Sequence, residues 1–150
     1  MRPDGTRVRD LTAIMQALPY VMPKRYDAQN WAEEYLDEDA IRDYIRAKRR
    51  EGRTVTHMSL LMSAYYRAVL KNPKINYFVM NRRIYKRNHF CFSFVILKTR
   101  ADGTPDETSL KVYLEPEDTV FTVTEKIRST IEKNQNVRHN NDTDRFAKFA

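Results

Sequence analysis

From Met58 to Leu70 the chain is apolar at ten positions and polar at three, Ser59, Ser63 and Arg67. Those three recur every fourth residue, so on a helix they form one narrow stripe. The pattern predicts a helix over Thr56 to Lys71 that is apolar on its other sides and buried at the centre of a layered structure. Lys71-Asn72-Pro73 supplies the stop, because proline has no amide hydrogen for the helical ladder and pushes its predecessor out of the helical region. Beyond it, Tyr77-Phe78-Val79-Met80 and Arg83-Ile84-Tyr85-Lys86 flank Asn81-Arg82, and Asn tolerates the left-handed backbone of a tight hairpin turn. Phe90 to Leu97 is apolar on both alternating sets and reads as a strand buried on two faces.

The same patterning predicts the remaining elements. Leu11, Ile14, Met15 and Leu18 are spaced as one helix face, with Asp10 as cap and Pro19 as the end or a kink. Ala28 to Leu36, with Trp31, Glu33 and Tyr35 alternating, reads as a strand. Asp37 to Arg50 is a helix with Ile41, Tyr44 and Ile45 inward, acids in its first turn and Lys48, Arg49 and Arg50 in its last. That polarity suits the helix dipole, and Gly52 ends it. Lys98 to Glu107 reads as a loop, and Leu110, Val112 and Leu114 as a strand with one wet face that pairs with 90–97 as an antiparallel hairpin. Val120, Val123, Ile127 and Ile131 give the seam of a last helix opened by Glu115-Pro116-Glu117-Asp118-Thr119. The expected class is α+β, two-layer, with a mixed or antiparallel sheet packed by helices.

At 150 residues and 41% hydrophobic, the chain is long enough for one ordinary core. No apolar run reaches membrane-spanning length and no signal pattern opens the chain, so the simplest expected compartment is the cytosol. The single cysteine, Cys91, excludes an internal disulfide and reads as a small hydrophobe in its strand. A net charge of +7 favours an anionic partner without naming one. Its basic residues gather at Arg42 to Arg53 and at Arg82, Arg83, Lys86 and Arg87, its acids at Glu33, Glu34, Asp37, Glu38 and Asp39. The helix dipole accounts for much of the first basic cluster.

The helix ending in Lys71-Asn72-Pro73-Lys74-Ile75-Asn76, the hairpin and the apolar strand resemble the N-terminal half of the CoA-dependent acyltransferase fold. Chloramphenicol acetyltransferase and the catalytic domain of 2-oxoacid dehydrogenase dihydrolipoyl acyltransferases share that fold. Pro73 and Asn76 satisfy the Pro-x-x-Asn pattern, and the order of elements fits across about residues 8–135. The resemblance implies acyl-CoA as donor, a thiol or hydroxyl acceptor, coenzyme A as cofactor, and a homotrimer with active sites between subunits. It divides the chain into a loose arm (1–9), the N-terminal half of an acyltransferase-like domain (10–135) and a linker with the start of a truncated helix (136–150). On this expectation the sequence is the front part of a longer protein.

The chemistry the resemblance implies rests on a histidine in His-x-x-x-Asp-Gly that acts as general base. No histidine here qualifies: four residues after His57, His89 and His139 stand Leu61, Ser93 and Thr143, and Lys98 occupies the histidine position before Asp102-Gly103. No residue is therefore assigned a catalytic role, and no CoA-binding residue is identified. The histidines read instead as a helix-start residue (His57), a residue before a strand (His89) and part of a polar linker (His139). None has Cys, Asp or Glu partners arranged for a metal. Ser59, Ser63 and Arg67 could line a channel, but the reading preferred here is a stripe facing a neighbouring subunit. Two other functions are consistent with the sequence. One is a non-catalytic assembly or binding module on the same scaffold. The other is nucleic-acid binding through Arg82 to Phe90, where cations and aromatics interleave, although the core needs many of those aromatics.

Overall fold

The computed structural model describes residues 3–99 and 105–135, an α+β arrangement of helices with two antiparallel sheets. The elements run β1 (Gly5–Arg7), α1 (Ala13–Val21), α2 (Glu38–Arg50), α3 (His57–Lys71), β2 (Tyr77–Met80), β3 (Arg83–Arg87), β4 (Phe90–Thr99), β5 (Pro105–Leu114) and α4 (Val120–Gln135). β1, β3 and β2 form one sheet in that order, and β4 and β5 form the other.

The core lies where α3 and α4 cover one face of the β4–β5 hairpin. Met62, Tyr66 and Val69 of α3 meet Phe90, Val112 and Leu114 of the hairpin and Val123 and Ile127 of α4, with Met58, Phe92, Phe94 and Ile131 packed around them. The Tyr66 and Phe90 rings stack at 4.8 Å, and Phe90 meets Phe92 edge-on at 5.0 Å. The β4–β5 register sets Phe90 against Leu114, Phe92 against Val112 and Phe94 against Leu110, so alternate residues of both strands reach the same interior. Lys111 and Tyr113 are exposed, which makes the return strand one-sided as its alternation requires.

Three elements form as their local chemistry dictates. α2 is capped by Asp37, whose Oδ1 accepts from the amides of Asp39 and Ala40. In α3 the Thr56 hydroxyl accepts from the Ser59 amide while the Ser59 hydroxyl accepts from the Thr56 amide, a reciprocal cap. The β2–β3 turn holds Asn81 and Arg82 at φ of 49° and 57°, the paired left-handed geometry of the tightest hairpins.

Several expectations are corrected. α3 is not enclosed on all sides: Leu61, Tyr65 and Leu70 are exposed, and only the face carrying Ser59, Met62, Tyr66 and Val69 is buried. β4 is not two-sided, because Val95 and Leu97 point to solvent. The strand expected over Ala28 to Leu36 is absent: Arg25–Ala28 is a single 3-10 turn and residues 29–37 are irregular and exposed. Among the described residues no second strand lies beside them to take their amides, and β-propensity without a partner makes no strand. The first helix starts at Ala13 behind Thr12 rather than at Asp10, and Pro19 sits buried inside its last turn, where it has no amide to give the Met15 carbonyl and the helix ends two residues later.

Residues 5–7 of the expected loose arm form β1 instead. Asn88 holds them there: its side chain accepts from the Thr6 hydroxyl and donates to the Pro3 carbonyl, and its amide donates to the Asp4 carbonyl. Gly5 is required at this edge, because a Cβ would lie 2.7 Å from the Phe78 ring and 2.9 Å from the Lys86 carbonyl oxygen. The loop expected over Lys98 to Glu107 is shorter than read, since β4 continues to Thr99 and β5 begins at Pro105. Residues 100–104 lie outside the described residues, as do His139 and the expected linker and helix start at 136–150.

Candidate functional site

The polar stripe of α3 is the first place to look for chemistry. Ser59 is fully buried and its Oγ accepts from Thr124 Oγ1 of α4 at 2.8 Å, while Ser63 Oγ donates to the Ser59 carbonyl at 2.7 Å. Arg67 donates to the Asp118 carbonyl at the mouth of α4 at 3.2 Å. Of the stripe expected to face a neighbouring subunit or a channel, Ser59 thus packs against α4 of the same chain, Ser63 bonds back within α3, and Arg67 stays exposed while reaching the entry of α4. The Ser59–Thr124 bond is a polar link between the two helices.

Asp118 stands at that entry of α4. It is buried, and its carboxylate accepts from Lys126 Nζ at 2.6 Å, the Glu115 amide at 2.8 Å and the Thr122 hydroxyl at 2.9 Å. Burial by itself would raise its pKa. The bonds from Lys126, Glu115 and Thr122 outweigh burial and hold the carboxyl below its ordinary value. Burial likewise opposes the charged form of Lys126, yet Asp118 and Glu115 hold that ammonium above its usual range. Burial, and then the carboxylates of Asp118 and Glu117, push Tyr66 upward. A carboxylate with three of its roughly four acceptor sites filled by its own chain is a helix-entry anchor.

The histidines do not converge. His57 is the exposed first residue of α3. His89 is exposed, its ring edge-on to Tyr113 at 5.2 Å, and its carbonyl accepts from Asn76 Nδ2 at 3.3 Å. That bond gives the Pro73-x-x-Asn76 pattern a structural role here, tying the end of α3 to the start of β4. Cys91 is a half-buried free thiol. Among the described residues no group of three His, Cys, Asp or Glu side chains could hold a metal ion, and no helix is long and apolar enough to cross a membrane.

One shallow cleft of about 400 Å³ lies between Gly52-Arg53-Thr54 and Phe121, Thr124, Glu125 and Arg128 of α4. Its charges nearly cancel. Arg128 pairs with Glu125 at 2.9 Å and Glu132 at 3.7 Å, while Arg53 lies over the Phe121 ring at 4.8 Å. Coenzyme A would need several uncompensated cations for its phosphates and a channel leading to a base; this cleft offers one such cation and no base. This cleft does not fit the cofactor.

The basic, aromatic hairpin has a definite geometry that the sequence could only suggest. Phe78 and Tyr85 stack at 5.4 Å, Arg87 lies 4.6 Å over Phe78, and Arg82 lies 5.3 Å over Tyr20 of α1. These rings are already stacked on each other and under cations. No family model, no curated protein and no solved structure matches this chain.

Proposed function

We propose that this chain is a scaffold and assembly element of the CoA-dependent acyltransferase type, inert toward acyl-CoA by itself and operating as part of a homotrimer. One observation carries the assembly part of this reading: beside a well-filled core, the irregular segment 29–37 holds Trp31 at 90%, Tyr35 at 89% and Leu36 at 71% exposure. Large apolar side chains grouped and left in water mark a surface that another polypeptide covers. Val95, Leu97 and Tyr113 on the outer face of β4–β5 are exposed as well. The acyltransferase part is supported by the order of elements and the Pro73–Asn76 turn. Within this reading the acyl donor is acyl-CoA, the acceptor is a thiol or hydroxyl, and the general base comes from residues other than those described. General acid–base catalysis contributes about 10²–10⁴-fold, so without it the thioester stays intact.

The test is a thiol-release assay with acetyl-CoA, paired with sedimentation of the same sample. The expected result is no release above the buffer rate and a mass above the monomer. Catalysed release by the chain alone would overturn the inert reading, and a monomer at every concentration would overturn assembly.

A further inference from the structure

One face of the β1–β3–β2 sheet is basic. The register places Arg7 opposite Tyr85, Arg83 opposite Met80, and Arg87 opposite Gly5, so Arg7, Arg83 and Arg87 project from the face that carries Phe78 and Tyr85. All three arginines are exposed, and none has an ion pair among the described residues. Arg83 and Arg87 stand four residues apart on one strand, about 13 Å.

Segment 29–37 has the complementary character. Its carboxylates are Glu33, Glu34 and Asp37, the last occupied as the α2 cap, its rings are Trp31 and Tyr35, and all five side chains are exposed. Trp31 and Tyr35 are also four residues apart, about 13 Å in an extended chain. Within the described residues, the only side-chain hydrogen bond of the segment before the Asp37 cap stays inside it, from the Tyr35 hydroxyl to Glu33 at 3.2 Å. From Asn30 to Leu36 no backbone amide or carbonyl takes a backbone partner among the described residues. The segment therefore has rings, negative charge and open backbone groups together.

We infer that segment 29–37 of one copy docks on the arginine face of the β1–β3–β2 sheet of a second copy, the Glu33 carboxylate set between Arg83 and Arg87 and Trp31 and Tyr35 against their guanidinium planes, with Glu34 adding to the charge attraction. Carboxylate pairing and cation–π contact both favour this match, and opposite charge selects it over two like faces meeting. The two patches differ, so the contact is head-to-tail, the type that closes into a ring when the rotation allows. The inference rests on the assembly reading above and names the surfaces it uses.

The experiment compares three proteins by sedimentation: the unaltered chain, Glu33→Lys/Glu34→Lys, and Arg83→Glu/Arg87→Glu. Each variant by itself presents like charges at the contact, and its self-association is expected to weaken at least tenfold. An equimolar mixture presents opposite charges wherever the two variants alternate and is expected to recover association between them, a three-membered ring keeping one like-charged contact. Trp31→Ala, at a position too exposed to matter for folding, is expected to weaken association while far-UV circular dichroism and the unfolding midpoint of the dilute, dissociated protein stay unchanged. Variants that associate like the unaltered chain, or a mixture that stays dissociated, would overturn the inference while leaving assembly through another surface in place. A chain that is monomeric at every concentration would overturn both.

Discussion

Two stretches of this chain are comparably rich in large side chains and end in opposite environments. Phe90, Phe92 and Phe94 enter an interior built by α3, β5 and α4, where Val123 is fully buried and Leu110 is 2% exposed. Trp31, Tyr35 and Leu36 stand in water. The first stretch has a partner strand in register and two helices to cover it; the second has neither. Apolar composition supplies the driving force for burial, but topology decides which residues find a surface to be buried against.

This contrast is sharpest in substitutions of similar size. Phe90→Ala removes a ring that stacks on Tyr66 and is expected to cost about 3–5 kcal/mol of stability, read by urea unfolding. Thr124→Val leaves the buried Ser59 hydroxyl without the bond that Thr124 gives it and is expected to cost about 1–2 kcal/mol by the same measurement. Trp31→Ala, on the other stretch, is expected to change stability by no more than about 0.5 kcal/mol. An equal loss at Trp31 and Phe90 would erase the distinction between the two regions.

The anchor at the α4 entry carries a pH signature between these extremes. Asp118 has a lowered folded pKa, so its contribution is complete above the unfolded carboxyl value of 3.8 and declines as pH falls through the folded value. Lys126 has a raised folded pKa; its contribution is complete below 10.5 and is lost as pH rises through the folded value. Asp118→Asn is expected to cost about 1–2 kcal/mol at neutral pH and to flatten the acid limb of the stability profile, as Lys126 is partly exposed and solvent screens the pair. An unchanged acid limb would assign that loss of stability to other carboxylates.

The legible parts of the fold were those whose signal is local. The helix over Glu38–Arg50, the Asn81-Arg82 turn and the alternation of Leu110, Val112 and Leu114 each need only neighbouring residues, and the structure has them where the pattern put them, save that Asp37, read as the first residue of its helix, is its cap. The Ser59-Ser63-Arg67 stripe was visible as a stripe, but its partners Thr124 and Asp118 lie 65 and 51 residues away, so its direction was not. Phe90 to Leu97 read as two-sided because both alternating sets are apolar, although only one is covered by helices. The same limit produced the expected strand at 28–36, where propensity was present and a neighbour was not. β1 escaped notice because what holds it, pairing with β3 and the side chain of Asn88, lies far along the chain from it, Asn88 being 82 residues beyond Thr6. The candidate site was legible only as surface character: acids near 33–39, cations near 82–87, and no general base in the pattern the resemblance requires.

Amide hydrogen exchange of residues 29–37 across a dilution series tests most directly whether the uncovered stretch is a contact surface. Protection that is absent when the protein is dilute and rises with its concentration is the predicted result. Protection that is the same at every dilution, or absent even in the most concentrated sample, would contradict it.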